Sequence, residues 1–216
     1  MEKYVCNKLL EMEDKTIIMI THNVEKDFLD KLAGLNEGDT VIISGSAAPG
    51  LSKDIFDQII KTCKDKKADF VIDTSGQALR KAIESKPLLI KPNFDEISEL
   101  FGIEFTSKEE IISYGKKCLD MGAQYAIVSM GGDGALFFDG DNVYYAPAVK
   151  GVLVNSVGAG DSMLAGFVGS IKSGLEPLEA FKWSVASGTG TAFCQDIATK
   201  DQIDEIYKKI KIEKLS

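Results

Sequence analysis

The sequence holds one histidine, His22, and four cysteines, Cys6, Cys63, Cys118 and Cys194, with no C-x-x-C pair among them. Zinc sites are built from clustered thiolates and imidazoles, so no zinc centre is expected. Scattered cysteines in a chain of 216 residues predict reduced, mostly buried thiols instead. Basic excess is lacking too. The formal net charge is -8, a poor match to nucleic acid, whose phosphates select for basic faces. No apolar run approaches the roughly 20 residues that span a bilayer. The N-terminal "MEKYVCNKLLEMEDK" is charged where a signal peptide carries an apolar core. Together these absences predict a cytoplasmic protein with neither a nucleic-acid nor a membrane partner.

What remains is an ordinary globular mixture, 44% hydrophobic and 27% charged, long enough for one sizeable core. From about Asp39, short β-branched runs alternate with amphipathic helices. "TVIIS" (Thr40–Ser44), "DFVID" (Asp69–Asp73), "LLI" (Leu88–Ile90) and "YAIVS" (Tyr125–Ser129) read as buried strands. Between them lie a helix with Ile55, Phe56, Ile59, Ile60 and Cys63 on one face, a short one near Gln77–Glu84, and one opened by a Ser107/Glu110 capping box and ending near Leu119. Continuous apolar strands alternating with helices predict an α/β fold, a parallel sheet with helices on both faces. "GALFFDGDNVYYAPAV" then reads as a hairpin turning at Asp139–Asn142. Three helical segments follow, near Asp161–Ser173, Pro177–Ala192 and Lys200–Lys211. No internal repeat or low-complexity tract interrupts the pattern. The first forty residues fit it least, although "TIIMIT" looks like a strand.

Ligands of open α/β sheets bind beyond the carboxyl ends of the strands. The positions there are Gly45–Gly50, Thr74–Gly76, Lys91–Glu96, Met130–Gly134 and Val157–Asp161, all rich in Gly, Ser, Asn or charge. They predict a site for a large, polar, phosphorylated ligand. In "VNSVGAGDSML", Gly158, Ala159 and Gly160 strip side chains from a helix N-terminus, where free amides and the helix dipole attract an anion. Asp161 sits in the first turn, placed to take a proton from an attacking hydroxyl. Close helix packing with a favourable N-terminal aspartate explains the same residues equally well. The stretch is neither a Walker A loop nor G-x-G-x-x-G. "SMGGDGAL" (Ser129–Leu136) could cradle a nucleotide or simply begin the hairpin. In "IKPNFDEISEL", Lys91 is held extended by Pro92, while Asn93 and Glu96 also fit a helix capping box.

With these motifs in hand, the chain resembles the ribokinase-like (phosphofructokinase B) carbohydrate kinases. "NSVGAGDSMLAGF" resembles the family's second signature. "VIISGSAAPG", "VIDTSGQAL", "LIKPNFDEISELFG" and "SMGGDGAL" resemble its 1-phosphofructokinase and tagatose-6-phosphate kinase branch. The resemblance runs from about Thr40 to the C-terminus. It implies a three-layer α/β/α sandwich with a mostly parallel sheet, and Asp161 as the catalytic base beside the Gly158–Ala159–Gly160 anion hole. It implies ATP contacts from Lys91, Asn93, Ser129, Met130, Gly131, Gly132, Asp133, Gly134 and Ser187, and Mg²⁺ organised by Glu96 through water. Gly45, Ser46, Thr74, Ser75 and Gly76 would face the sugar and the transferring phosphate.

Asn155-Ser156 replaces the family's frequent Asp-Thr, as is common in this branch. A larger departure lies at the front. The family's first strands, its Gly-Gly-Lys-Gly-type sugar turn and part of its β lid have no counterpart before Thr40. Residues 1–38 are therefore expected to be a remnant of lid and linker, and 39–216 the nucleotide-binding and catalytic domain. The resemblance implies a kinase of fructose 1-phosphate or tagatose 6-phosphate present as its C-terminal portion, and a homodimer, since relatives often pair through the lid. Two alternatives stay open: a non-catalytic nucleotide-binding paralogue, and a kinase of another small acceptor such as a nucleoside or vitamin.

Overall fold

A computed structural model of the chain describes residues 17–19, 29, 31–45, 52 and 54–216. Ser46, His22, Cys6 and most of the expected lid remnant lie outside the described residues. Among the described residues, eight strands form one sheet: β1 (Ile17–Met19), β2 (Thr40–Ser44), β3 (Asp69–Asp73), β4 (Leu89–Ile90), β5 (Tyr125–Ser129), β6 (Ala135–Asp139), β7 (Asn142–Ala146) and β8 (Glu213–Lys214). Their order in the sheet is their order in the chain. β1 to β5 run parallel, and β6, β7 and β8 add antiparallel neighbours. "TIIMIT" thus contributes β1, with Ile17 opposite Thr40, so this part of the first forty residues joins the main sheet.

The crossover helices are α1 (Ile55–Lys66), α2 (Gly76–Ile83), α3 (Phe94–Phe101) and α4 (Lys108–Met121). A strand order that always advances in one direction, joined by right-handed crossovers, places all of them on one face. The other face is covered by α5 (Ala159–Lys172), α6 (Pro177–Ala192) and α7 (Lys200–Tyr207), which follow the hairpin. Three layers result, as expected, but winding in both directions does not produce them.

The strands are apolar throughout because both faces are covered. Val41, Ile43, Phe70, Ile72, Val128 and Phe138 point into the core under α1–α4. Their sequence neighbours Ile42, Val71, Ile127 and Phe137 point into the core under α5–α7, as the strand period of two requires. Phe137 stacks on Phe181 at 5.0 Å and packs against Phe167 at 5.5 Å. On the first face α1 buries Ile55, Ile59, Ile60 and Cys63 of its predicted stripe, and Phe56 packs partly buried beside them. Burial pushes the Cys63 and Cys118 thiols up to about 12, which makes them inert packing groups at neutral pH.

Two local expectations change. Ser107 caps α4 by accepting from the Glu110 amide at 3.2 Å. The Glu110 carboxylate, however, accepts from the amide and hydroxyl of Thr106 at 2.7 and 3.0 Å, because Thr106 offers it two donors. Those bonds hold its carboxyl below the usual range. The last helix ends at Tyr207 and does not reach Lys211, since the chain turns there to lay Glu213 and Lys214 opposite Tyr145 and Tyr144 of β7. Among the described residues, no helix is long and apolar enough to cross a membrane.

Helix α4 lies so close to the sheet that a Cβ on Gly115 would stand 2.1 Å from Cζ of the fully buried Phe138. Gly115→Ala should therefore lower stability by about 1–3 kcal/mol, the range for overpacking a tight core. Urea denaturation at unchanged m-value checks this. A neutral or stabilising effect would show that the α4–sheet contact can open without penalty.

Candidate active site

Three consecutive strands end in polar side chains aimed at one place. Ser44 closes β2 and is the register partner of Asp73, which closes β3. Lys91 follows the last residue of β4. The Gly45 amide donates to the Asp73 carbonyl at 2.8 Å, and Thr74 beside it is buried. Facing these strand ends is the first turn of α5.

That turn is fixed from behind. Asn155 Oδ1 accepts from the Val157 amide at 3.0 Å, and Asn155 Nδ2 donates to the Gln195 carbonyl at 3.2 Å. The amides of Val154 and Asn155 both donate to Ala192 at the end of α6. One turn into α5, the hydroxyls of Ser162 and Thr191 share a buried hydrogen bond of 2.9 Å. Small residues allow this close seam: a Cβ on Gly188 would lie 2.3 Å from Met163 Cγ. Gly158 takes the left-handed conformation at φ 79°, where it serves as N-cap with no side-chain bond. The Ala159 amide turns back to Ser156 and the Ser162 amide to Gly158. Helix geometry leaves the Gly160 and Asp161 amides between them for an outside acceptor.

The electrostatic centre is Lys91. Its side chain is 6% exposed, and its Nζ lies 3.3 Å from Oδ1 of Asp73, itself 14% exposed. A Cβ on Gly160 would stand 3.2 Å from the same nitrogen, so glycine at 160 makes room for the ammonium. Burial raises the Asp73 carboxyl above its ordinary range; Lys91 opposes that shift, and the carboxylates of Glu96 and Asp161 add to it. Asp161 Oδ1 accepts from the Ser44 hydroxyl at 3.1 Å. The site thus joins a desolvated ammonium, with capacity for three hydrogen bonds, to free helix amides and a carboxylate. This donor set fits phosphoryl oxygens.

Lys91 leads through Pro92 to a second group. Asn93 and Glu96 form a full capping box on α3, the Glu96 amide donating to Asn93 Oδ1 at 2.9 Å and the Asn93 amide to Glu96 Oε2 at 2.7 Å. The packing reading of these two is therefore realised. Glu96 Oε1 makes no hydrogen bond among the described residues, so a water-mediated Mg²⁺ contact fits beside the cap. Asn93 bridges to Ser129 at the end of β5. The turn that follows closes through the Met130 amide and the Gly134 carbonyl at 2.8 Å, and Tyr145 Oη donates to Asp133 at 3.0 Å. At Gly134 a Cβ would meet the Ala146 carbonyl at 2.1 Å, so that glycine serves the hairpin. Asn93, Ser129, Met130, Gly131 and Asp133 line a cavity of about 690 Å³ together with Lys108.

The remaining candidates have structural surroundings. Ser187 is 7% exposed and lies in the α5–α6 seam, where a Cβ on Gly166 would stand 2.7 Å from its hydroxyl. Ser75 is the N-cap position of α2 without a side-chain cap bond, and Gly76 begins that helix against Glu99. Sequence reasoning singled out neither Asp73 nor Ser44. Their signal was position: each is the polar last residue of an apolar strand, one residue before the edge positions considered.

A profile described as pfkB family carbohydrate kinase matches residues 5–202. The chain is 46% identical over 190 residues to a 1-phosphofructokinase of Bacillus subtilis, covering 88% of this chain and 63% of the relative. It is 33% identical over 198 residues to a D-tagatose-1-phosphate kinase of Bacillus licheniformis, covering 91% and 65%. Among solved structures it is similar to phosphofructokinase-2 from Escherichia coli in complex with substrates and products, with TM-score 0.81, 26% identity and coverage of 85% and 61%. The chain spans less than two thirds of the length of these relatives.

Removing one partner of a buried ion pair leaves the other charge uncompensated. Lys91→Met should lower stability by about 3–5 kcal/mol near neutral pH. A carboxyl raised in the folded state contributes stability that is present at low pH and lost as pH rises through its folded value. Without Lys91 the Asp73 carboxyl rises further, so the deficit of the variant should shrink as pH falls below neutral and Asp73 binds a proton. Thermal unfolding of both proteins across this range is the check. A deficit independent of pH would show that Asp73 and Lys91 are not coupled.

Proposed function

Because the chain belongs to the pfkB family of carbohydrate kinases, we propose that it carries the nucleotide-binding and catalytic portion of an ATP-dependent sugar-phosphate kinase. The carrying observation is the meeting of Asp161, the first-turn amides of α5 and the buried Lys91–Asp73 pair at the ends of β2, β3 and β4. The acceptor is the primary hydroxyl of a ketohexose phosphate, fructose 1-phosphate or a tagatose phosphate, as the names of the relatives suggest. The domain boundary near residue 38 belongs to the same proposal.

In this reading the acceptor oxygen forms a bond to the γ-phosphorus as the bond to the β-phosphate oxygen breaks. The hydroxyl proton passes to the Asp161 carboxylate. Transfer of this kind spreads charge over the equatorial oxygens, so preorganised donors contribute most. Lys91 and the Gly160 and Asp161 amides supply them. Gly158 and Ala159 keep that approach clear of side chains. Mg²⁺, when bound, neutralises phosphate charge, and Glu96 Oε1 would hold it through water. Asn93 and the Ser129–Gly134 turn would contact the nucleotide, while Gly45 and Thr74–Gly76 would lie on the sugar side.

Asp161→Asn keeps the shape of the side chain and removes the proton acceptor. It should leave ATP–Mg²⁺ affinity within a few-fold and reduce phosphoryl transfer on the order of 10²–10⁴-fold. Calorimetric titration with ATP–Mg²⁺ and an ADP-release assay with each sugar phosphate measure the two effects. Turnover unchanged by the substitution would make Asp161 a helix-end charge and no base. ATP binding without transfer to any of these acceptors would favour a nucleotide-binding role, and absence of binding would overturn the reading.

A further inference from the structure

A carboxylate that is to accept a proton must keep one oxygen free and must not pair with a neighbouring cation. Asp161 faces both problems. The terminal torsion of an aspartate is broad and roughly two-fold, and the Lys91 ammonium lies beside the backbone of the preceding residue, Gly160. Left alone, an ammonium and a carboxylate in so small a space would neutralise each other. In the structure they do not pair. Lys91 is drawn to Asp73 at 3.3 Å, and Asp161 is held by the Ser44 hydroxyl through Oδ1 at 3.1 Å.

Ser44 and Asp73 are directly opposed residues of adjacent parallel strands, so the two anchors are set side by side by the same rigid ladder. We infer that Ser44 is a positioning residue for Asp161, fixing its carboxylate through Oδ1 so that Oδ2 stays free of Lys91 and open to the acceptor hydroxyl. The inference rests on the kinase reading for its purpose. The hydrogen bond on which it depends can be tested without turnover. Ser44 touches no reacting atom; it acts through Asp161. A serine suits the place because its hydroxyl donates to the carboxylate without adding a charge.

The experiment uses the 216-residue protein labelled with ¹³C at aspartate side-chain carboxyls. The Asp161 signal is assigned by its loss in Asp161→Asn. Ser44→Ala should move that signal, and Ser44→Thr, which keeps the hydroxyl on a strand-compatible side chain, should return it. In phosphoryl transfer, Ser44→Ala should lower kcat about tenfold, the scale of one hydrogen bond to a charged group. KM for ATP and the thermal midpoint should stay unchanged, and Ser44→Thr should recover most of the rate. An Asp161 signal indifferent to Ser44→Ala overturns the inference. So does a loss of rate and stability together in both variants, which would make Ser44 a packing residue. If even the unsubstituted chain transfers no phosphoryl group, the kinase reading fails while the carboxyl signal still decides whether Ser44 anchors Asp161.

Discussion

An ammonium removed from water governs the arrangement of this edge of the sheet. Desolvating Lys91 is unfavourable by several kcal/mol unless a counter-charge is near, and Asp73 provides it from the neighbouring strand. Glycine at 160 lets the pair lie against α5 without displacement, since a Cβ there would stand 3.2 Å from the ammonium nitrogen. The approach of α5 in turn brings Asp161 within reach of Ser44. The raised carboxyl of Asp73 records the same crowding, since burial and two further carboxylates push it up against the pull of Lys91.

The two helical layers are made in different ways, and the difference places the site. α1–α4 are crossovers whose positions are dictated strand by strand. α5 belongs to no crossover: it enters after the hairpin, and its direction is set by its seam with α6. Glycines 166 and 188 bring the two backbones together, and Ser162 and Thr191 lock the register. A helix oriented by another helix can point its N-terminus across the ends of three strands, which a crossover helix fed by one of them could not do.

The sequence pattern was most informative where structure is local. The ends of β2, β3 and β5 fall where apolar runs stop, and the Asn93/Glu96 box is present as read. Asp161 sits in the first turn of its helix, which begins two residues earlier at Ala159. What the pattern withheld depends on distant partners. Ser44 and Asp161 lie 117 residues apart, and no spacing along the chain announces their meeting. Asp73 was read as a strand end because its lysine comes from the next strand. Ser187 lies in a helix seam, its hydroxyl against Gly166 of the neighbouring helix. Glu110 found a better donor one residue before the expected cap.

Strand order that copies chain order has a consequence for assembly. Every strand from β2 to β7 finds its neighbour already present on its N-terminal side, so the sheet can be laid down progressively as the chain leaves the ribosome. Loop closures stay short, apart from those that bring α5–α7 back over the second face. Only β8 must wait until α5–α7 have been made. Its segment closes on Val143, whose amide and carbonyl pair with Ser216 and Leu215 at 3.0 and 2.8 Å. The far edge of β7, a ready template for unwanted pairing while bare, is thus covered by a segment that lies beyond all three helices of the second face.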